Sequence, residues 1–437
     1  TARATTRLDS TRLKGHGIPI RIVERCVVIR CVVERASSFV KTRHPMENHQ
    51  GFVENLFVAQ ASRRARALAK AETLARAFVE DVIRASRVGG EVPPPVYGTT
   101  RRRRRDAADD DAREIEEMEN ETTFGIVARC SGDGRAYERF WEVLDALASG
   151  LRRSTTYSST TLRELYYVVN SRGGGGGGGA SEAGIARTLR QISDVLDEPR
   201  AALGVCASAK GQVAGRAHIE TAAGARIDCT AAGVGGWTVA GDVFELDAMT
   251  IHSDAAYVIV VEKDAVFNRL IAERAYETLP CVLVTAKGFP DAATRKFLHL
   301  LKRALDATRP EGARFFGLMD WNPCGAWILS TYSVARDDGG GVRDAVECVV
   351  PLTWIGLREE DLCLVPERAL LDLTERDASL IRNALDSSDE RHPLKPYARE
   401  LSTMRRMGKK AEIEALYADR DDFSLVDYVS RKIAARE

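Results

Sequence analysis

The apolar run Tyr257-Val258-Ile259-Val260-Val261 decides the fold of the C-terminal half of this chain. Two similar runs follow at residues 281–284 and 315–319, and each is bounded by loop residues. Between the three runs, residues 267–278 and 292–307 carry apolar side chains at helical spacing. Apolar runs that alternate with amphipathic helices are typical of buried parallel strands. The sequence therefore predicts an α/β domain with a mainly parallel sheet.

Acidic residues follow two of these runs directly. Glu262 comes after the first run, and Asp320 comes after the third, within Asp320-Trp321-Asn322-Pro323-Cys324-Gly325. Because ligands of open α/β sheets bind beyond the carboxyl ends of the strands, we expect the two carboxylates to lie close together. Such oxygens suit Mg²⁺, which keeps several waters and is often completed by a substrate phosphate. A single acid at a strand end is more often merely solvated, whereas the pair indicates a magnesium site.

The region before the sheet contains helices followed by short strands. Residues 137–148 and 181–196 have helical periodicity, and Thr161-Leu162-Arg163-Glu164 is a capping-box pattern that predicts the start of a further helix. Residues 203–230 are rich in small side chains and alternate irregularly. This order suggests a winged helix-turn-helix. The seven glycines of residues 173–179 predict a loop insertion, and since no Lys-Ser or Lys-Thr follows them they form no phosphate-binding P-loop.

Several motifs, taken in order, resemble those of the topoisomerase VI A protein, the DNA-cutting partner in that enzyme, and those of its meiotic relatives, the Spo11 family. They are Thr161-Leu162-Arg163-Glu164-Leu165-Tyr166-Tyr167, Ala209-Lys210-Gly211-Gln212-Val213-Ala214-Gly215, Val261-Glu262-Lys263-Asp264-Ala265-Val266-Phe267, Lys287-Gly288-Phe289-Pro290-Asp291, Asp320 to Gly325, Trp354-Ile355-Gly356-Leu357 and Gly408-Lys409-Lys410-Ala411-Glu412-Ile413-Glu414-Ala415-Leu416. The resemblance covers roughly residues 120–437. It implies α+β and α/β structure: a winged-helix (CAP-like) DNA-binding domain at residues 120–245, then a Toprim (Rossmann-like) metal-binding domain at residues 246–437. Residues 1–119 match no motif of the family, and we expect them to be an N-terminal extension.

The resemblance implies a transesterification in which Tyr167 attacks a DNA phosphodiester. The tyrosine becomes linked to a 5′ phosphate and a 3′ hydroxyl is released, so the bond energy is retained. A phenol with an ordinary pKa of about 10 needs a base, a cation or a metal-polarised phosphate to act as a nucleophile at neutral pH. Arg163 precedes Tyr167 at i, i+4 spacing and can assist it. Tyr166 and Tyr167 point about 100° apart on a helix, so only one of them should face DNA.

Metal and DNA contacts are implied in the same way. The residues that would hold Mg²⁺ are Glu262, Asp320 and Asn322, and those that would contact DNA are Lys210, Lys287 and Phe289. An isolated surface lysine is usually only solvated, and phosphate contacts give affinity without sequence preference. In the family, the tyrosine of one protomer works with the Toprim metal of the other. This implies a homodimer, or a heterodimer with a paralogue, that acts on double-stranded DNA in the nucleus.

Asn322 departs from the family pattern, which is commonly Asp-x-Asp. A neutral amide offers one negative charge fewer, and we expect weaker metal binding. The Asp-Trp-Asn-Pro-x-Gly form resembles meiotic members of the green lineage, which favours programmed double-strand breaks that initiate meiotic recombination. Two alternatives stay open. One is the A protein of a type IIB topoisomerase VI, whose ATP-hydrolysing B subunit is a separate chain, and the other is a non-catalytic DNA-binding scaffold that pairs with an active paralogue.

An amphipathic helix is predicted at residues 59–86, within the N-terminal extension. The larger apolar residues at helical spacing are Leu68, Leu74, Phe78, Val82 and Ile83. Such an apolar stripe needs a partner. Either another protein or this chain's own body can cover it, and the sequence favours neither.

Composition excludes several classes of protein. The 437 residues carry 63 basic and 63 acidic side chains, so there is no global attraction to nucleic acid, and any DNA affinity must be local. The arginines of residues 101–105 and the aspartates of residues 109–111 predict an exposed linker, with phosphate binding or nuclear import as the alternative. Nine scattered cysteines without a C-x-x-C pair indicate a reducing compartment and argue against zinc. No membrane-length apolar run or secretory pattern is present, which favours the cytosol or nucleus.

Overall fold

The structure of the protein is a computed structural model that describes residues 51–88, 134–153, 159–172, 180–221, 224–309, 311–334, 348–418, 420 and 422–436. Within its helices, the side chains of residues 51–60, 79, 81–88 and 134–138 fall outside this description. The described chain divides into two compact units, the first ending at Cys206 and the second beginning at Ala207. The predicted charged linker at residues 101–111 and the predicted glycine loop at residues 173–179 lie outside the described residues.

Helices dominate the described part of the first unit. They are α1 (Gly51–Val88), α2 (Gly134–Arg153), α3 (Leu162–Arg172) and α4 (Glu182–Leu196), and strands β1 (Thr160–Thr161) and β2 (Val205–Cys206) pair in parallel. All four predicted helices are thereby confirmed. Thr161 begins α3 as its capping pattern predicts, since its Oγ1 accepts a hydrogen bond of 3.1 Å from the Glu164 amide. Ser181 does the same for α4, where its Oγ accepts from the Gly184 amide at 3.1 Å.

Helix α1 packs against α2 and α4 of its own unit. The buried positions of α1 are Ala67, Ala71, Ala75 and Phe78, which follow one another at helical spacing. Small side chains at three of these positions let the helices approach closely, and the Phe78 ring stacks on Trp141 with centroids 4.5 Å apart. The chain's own body therefore covers these four positions, of which Phe78 belongs to the predicted stripe.

The flanks of α1 carry its polar ties to the unit. Arg66 and Lys70 both contact the buried Glu198 carboxylate at 2.8 Å. Leu68 and Leu74, which the sequence analysis placed in the stripe, are half-buried beside it. The side chains of Val82 and Ile83 lie outside the described residues.

The second unit is built on a six-stranded sheet. Its parallel strands are β8 (Tyr257–Val261), β9 (Cys281–Thr285), β10 (Arg314–Leu318) and β11 (Thr353–Trp354). Strand β3 (Gln212–Gly215) pairs antiparallel with β9, and β6 (Trp237–Thr238) pairs antiparallel with β3, so the strand order is β11-β10-β8-β9-β3-β6. The three predicted parallel strands are confirmed. Val261 lies level with both Thr285 and Leu318, so the chain leaves three neighbouring strands at one edge of the sheet.

Helices connect these strands. They are α6 (Asp264–Ala272) and α7 (Ala275–Thr278) after β8, α8 (Ala292–Thr308) after β9, and α9 (Pro323–Ser333) after β10. The prediction of a single helix at residues 267–278 was wrong, whereas the helix predicted at residues 292–307 is confirmed. The first helix ends because Arg274 adopts a left-handed conformation with φ 54°, which an α-helix does not accommodate.

Short strands precede the parallel strands along the chain. Strands β4 (His218–Glu220), β5 (Arg226–Asp228) and β7 (Thr250–His252) form a separate antiparallel sheet in the order β5-β4-β7, and α5 (Val243–Asp247) precedes β7. The sequence analysis drew a domain limit between residues 245 and 246. That limit stays a prediction; the division of the chain into compact units falls between Cys206 and Ala207, and β3 is hydrogen-bonded to β9 within the main sheet.

The C-terminal part of the second unit returns to the edge of the sheet. It contains α10 (Glu375–Leu385), α11 (Ala398–Met407), α12 (Leu425–Ala434), the antiparallel pair β12 (Leu371–Asp372) and β13 (Lys409–Lys410), and the 3₁₀ helices Glu359–Leu364, Glu367–Ala369, Lys395–Tyr397 and Ile413–Leu416. Trp321 and Ala411 exchange two backbone hydrogen bonds of 3.0 Å. No helix in the described ranges combines the length and the apolar character that a membrane span requires.

Candidate functional site

Glu262 and Asp320 meet where strands β8 and β10 end. Glu262 follows β8 directly, and Asp320 lies just beyond the end of β10, the neighbouring strand. The Asp320 amide donates a hydrogen bond of 3.0 Å to Glu262 Oε2, and both side chains are buried. The structure therefore brings together the two acids that the sequence analysis paired.

The electrostatics of this pair favour a bound cation. Burial raises the pKa of Glu262, and the nearby Asp320 carboxylate raises it further. Burial also raises the pKa of Asp320, although Lys263 and the Ile413 amide oppose that shift. Two buried carboxylates that repel each other are stabilised by a proton or by a positive ion.

Lys263 already supplies one positive charge. Its Nζ lies 2.9 Å from Asp320 Oδ2, 2.7 Å from Glu414 Oε2 and 3.3 Å from Glu412 Oε2. Burial alone would lower the pKa of Lys263, but Asp320 and Glu414 outweigh burial and raise it. The lysine is therefore a charged partner shared between the buried acid and two carboxylates of the C-terminal segment.

The C-terminal segment fixes the orientation of Asp320. The Ile413 amide donates a hydrogen bond of 2.9 Å to Asp320 Oδ1. The adjacent Trp321 is fully buried, and its indole Nε1 donates to Glu400 Oε2 at 2.7 Å. Arg358 Nε donates to the other oxygen of Glu400 at 2.9 Å. Side-chain and backbone contacts thus hold both Asp320 and its neighbour in place.

Asn322 begins helix α9. Its Oδ1 accepts a hydrogen bond of 2.7 Å from the Gly325 amide, which makes it the N-cap. Gly325 is required here because a Cβ atom would lie 2.6 Å from the Asp320 carbonyl oxygen and 3.2 Å from Glu262 Oε2. The described residues contain no group of three or more His, Cys, Asp or Glu side chains placed to hold a metal ion. Two carboxylates and an amide oxygen fit Mg²⁺, which retains several waters, better than a metal that needs a full protein cage.

The loop after β9 brings the predicted DNA-contacting residues together. Lys287 has a left-handed backbone with φ 53°, followed by Gly288 with φ 97°, and the Gly288 amide donates to the Glu262 carbonyl oxygen at 2.8 Å. Phe289 is 42% exposed, an unusual position for a phenyl ring. Lys210 Nζ donates to the Phe289 carbonyl oxygen at 2.8 Å. Lys287 and Phe289 therefore lie in a loop whose backbone contacts Glu262, and Lys210 is bonded to that loop.

Tyr167 lies in the other unit, on helix α3. Its side chain is 56% exposed, whereas Tyr166 is half-buried and meets it edge-on with ring centroids 5.1 Å apart. Leu165 is buried, so α3 packs through a different face. The Arg163 guanidinium donates a hydrogen bond to the Tyr167 hydroxyl, and this bond raises the pKa of the arginine. The i, i+4 contact predicted from the sequence is present.

Comparison with known proteins identifies a domain in the second unit. Residues 257–433 match the Toprim domain of the family that unites the topoisomerase 6 A protein with Spo11. These residues form a Toprim domain. The resemblance found in the sequence is thereby confirmed, and the Toprim domain contains Glu262, Asp320 and the whole C-terminal segment that contacts them.

Plant proteins are among the relatives. The chain is 40% identical over 251 residues to "Meiotic recombination protein SPO11-2" of Oryza sativa subsp. japonica, which covers 57% of this chain and 62% of the relative. It is 37% identical over 254 residues to the protein of that name from Arabidopsis thaliana. That match covers 58% of this chain and 63% of the relative. It is also 37% identical over 231 residues to "DNA topoisomerase 6 subunit A3" of Oryza sativa subsp. indica. That match covers 52% of this chain and 50% of the relative. The chain therefore spans between half and two thirds of the length of these relatives.

Three charged residues of the Toprim domain were missed by sequence reasoning. Lys263, Glu412 and Glu414 stand inside motifs that carry the family resemblance, but the sequence analysis assigned them no role. Lys263 is separated from Glu412 and Glu414 by a long stretch of sequence. Nothing in the local sequence around any of these residues therefore indicates that they contact each other. Their position inside family motifs was the available signal, and the contacts appear only once the C-terminal segment reaches the end of β10.

Proposed function

We propose that this protein forms DNA double-strand breaks in meiosis by a topoisomerase-like transesterification. The observation that carries the proposal is the exposed Tyr167, hydrogen-bonded to Arg163, in a chain whose Toprim domain belongs to the topoisomerase 6 A/Spo11 family. The similarity to meiotic recombination proteins of rice and Arabidopsis supports the meiotic role. Breaks of this kind would initiate homologous recombination in the nucleus.

In the proposed reaction, the Tyr167 hydroxyl oxygen attacks the phosphorus of a DNA phosphodiester. A bond forms between the tyrosine oxygen and the 5′ phosphate, and the bond from phosphorus to the 3′ oxygen breaks. The phenol proton passes to solvent, and the departing 3′ oxygen takes up a proton to become a hydroxyl. Arg163, which donates a hydrogen bond to the Tyr167 oxygen, would stabilise negative charge on that oxygen and on the attacked phosphate.

The proposed metal ligands are Glu262, Asp320 and Asn322. The two buried carboxylates would supply the charge, while Asn322 Oδ1, which already caps helix α9, would contribute a weaker neutral contact through its second lone pair. When bound, Mg²⁺ would act as a Lewis acid that orients a DNA phosphate. The two carboxylates would hold the ion, and the Lys263 ammonium beside Asp320 balances part of their negative charge.

The proposed DNA-binding surface has two parts. In the second unit, Lys210 and Lys287 would contact phosphates, and the exposed Phe289 ring would contact the sugar or base edges. In the first unit, α2, α3 and α4 would form the helical part of a winged-helix domain. We retain residues 120–245 and 246–437 as the proposed domains and residues 1–119 as an extension, although the pairing of β3 favours an earlier limit near Ala207.

The proposed assembly is a dimer. Tyr167 and the acid pair lie in different compact units of the chain, and a tyrosine of one copy would act with the Toprim domain of another. The second copy would be this chain or a paralogue, joined by a protein similar to the topoisomerase VI B subunit. Such a complex would belong with the ATP-hydrolysing type IIB enzymes.

A second candidate is the A protein of a topoisomerase VI that rejoins the DNA it cuts. The 37% identity to the A3 protein of a rice DNA topoisomerase 6 favours it. ATP-dependent relaxation of supercoiled DNA by this chain with a cognate B subunit would establish that activity. A chain that binds DNA but never forms an adduct, beside a paralogue that does, would instead indicate a scaffold.

The experiment that tests the main proposal is denaturing immunoprecipitation of the full-length protein from meiotic cells, followed by labelling of covalently attached DNA. We expect an adduct with the wild-type protein and with Tyr166→Phe, and none with Tyr167→Phe. Tyr166→Phe is the matched control, because it removes the neighbouring hydroxyl on the same helix. An adduct that persists in Tyr167→Phe would contradict the assignment of the nucleophile.

A further inference from the structure

Lys263 stands between two groups of carboxylates that differ in burial. On one side is Asp320, whose side chain is 2% exposed; on the other are Glu414 and Glu412, which are 35% and 48% exposed. The contact to Glu414, at 2.7 Å, is as close as a charge-assisted hydrogen bond allows, and the contact to Asp320 is 2.9 Å. The ammonium therefore has a second strong partner besides the buried acid.

Backbone hydrogen bonds hold the second partner, Glu414, beside Lys263. Ala411 is hydrogen-bonded to Trp321, and the Ile413 amide is hydrogen-bonded to Asp320 Oδ1. Residues on either side of Ile413 therefore cannot move away from Lys263 while these bonds persist. Glu414 lies within the 3₁₀ helix Ile413–Leu416, which limits the freedom of its backbone further. Its position beside the lysine is built into the fold.

A divalent cation bound to Glu262 and Asp320 would change how the Lys263 ammonium is paired. The cation competes with the ammonium for Asp320, since both are attracted to the same carboxylate. A partly buried ammonium that loses its counter-ion is costly, and that cost would weaken metal binding. Glu414 removes this cost, because its carboxylate can stay paired with the Lys263 ammonium when Asp320 binds a metal ion.

We propose that Glu414, assisted by Glu412, is a positioning residue that takes over the Lys263 ammonium when a divalent cation binds Glu262 and Asp320. This inference rests on the metal site of the proposed function. In this arrangement Glu414 acts on the metal site mainly by holding the Lys263 ammonium, while its carboxylate also repels those of Glu262 and Asp320. Its removal should therefore matter most while the lysine is charged and present.

The test is a double-mutant cycle read out as Mn²⁺ affinity of the full-length protein, measured by electron paramagnetic resonance of the free ion. We expect Glu414→Gln to weaken Mn²⁺ binding about tenfold, the lower range for loss of an outer-shell partner. Lys263→Met removes the competing cation and should tighten binding. In the Lys263→Met background, Glu414→Gln should change the affinity less than about twofold, because the side chain through which it acts is gone.

Asp264→Asn is the matched control. Asp264 follows Lys263 directly and is 44% exposed, similar to Glu414, but it pairs with Lys287 at 3.5 Å. It should leave Mn²⁺ affinity nearly unchanged. Lys263→Gln repeats the cycle with an uncharged polar side chain, so the outcome does not depend on whether Lys263→Met folds. Thermal melting shows whether each variant is folded.

Three results would overturn the inference alone and leave the metal site in place. They are an unchanged affinity in Glu414→Gln, an equal loss in the presence and absence of Lys263, and a comparable loss in Asp264→Asn. A wild-type protein that binds no Mn²⁺ would overturn it together with the metal site. A protein that shows the expected cycle but forms no tyrosine adduct would leave this inference standing and refute the transesterase proposal instead.

Discussion

At the scale of single residues, the acid pair at the end of the sheet links protonation to stability. Burial and the nearby Asp320 raise the pKa of Glu262 in the folded protein, while the unfolded chain keeps a carboxyl near its ordinary value of about 4.3. Between these two values the folded protein binds more protons than the unfolded chain. The free energy of unfolding of the metal-free protein therefore falls as the pH rises through this window.

We expect Glu262→Gln to remove much of this pH dependence. Urea denaturation at about pH 5 and about pH 8 should show a decline of more than about 1 kcal/mol in the metal-free wild type and a clearly smaller one in the variant, in which Asp320 still contributes. Glu360→Gln is the control, since Lys432 lowers the pKa of Glu360 and its loss should leave the wild-type decline in place. An equal decline in Glu262→Gln would mean that other groups cause it.

Gly325 gives a second prediction at this scale. A methyl group there would press on the Asp320 carbonyl oxygen at 2.6 Å, so Gly325→Ala should lower the free energy of unfolding by about 1–3 kcal/mol and weaken Mn²⁺ binding. Gly150→Ala is the matched control in helix α2, where no atom lies within 4 Å of the added Cβ. It should stabilise by about 0.5–1 kcal/mol, because alanine favours helix interiors. Thermal or urea unfolding of both variants decides the matter.

At the scale of elements, α1 behaves as an integral part of the first unit. Phe78 is 5% exposed and stacks on Trp141, so Phe78→Ala should cost about 3–5 kcal/mol. Leu68→Ala, on the half-buried flank of the same helix, should cost clearly less. Urea unfolding monitored by far-ultraviolet circular dichroism compares the two. Equal and small effects would show that this helix contributes little to the stability of its unit.

The elements also show what local sequence can and cannot predict. Apolar runs and helical spacing predicted β8, β9, β10, α4 and α8 because those signals lie within each element. The left-handed Arg274 was missed because arginine seldom adopts that conformation and gives no signal for it. The pairing of β3 with β9 was missed because it joins segments about seventy residues apart. In the site, Glu262 and Asp320 were predicted from strand ends, whereas the Lys263–Glu414 contact spans 151 positions and has no local signal.

At the scale of the whole molecule, charge is balanced, with 63 basic and 63 acidic residues. DNA affinity should therefore come from a few local contacts rather than from the overall field. We expect Lys287→Gln and Lys210→Gln each to reduce the slope of log affinity against log salt by about 1, for duplexes of any sequence. Fluorescence anisotropy at several NaCl concentrations measures this slope.

Lys302→Gln is the control for this measurement. Lys302 is exposed to a similar degree as Lys287 but pairs with Asp306 on helix α8, away from the loop after β9. Its loss should not change the slope. If all three variants behaved alike, DNA contact would be spread over the molecule rather than concentrated near Phe289.

The contact between residues 411–414 and Asp320 also sets the order in which the acid pair can acquire its partners as the chain is made. A ribosome releases the strands of the main sheet well before it releases Ala411, Ile413 and Glu414, and domains generally fold as they emerge. The sheet can therefore form early, while Asp320 and Lys263 still lack their final partners. A nascent chain whose residues 411–414 are not yet released therefore holds Glu262 and Asp320 without the contacts to Ile413 and Glu414 that complete their surroundings.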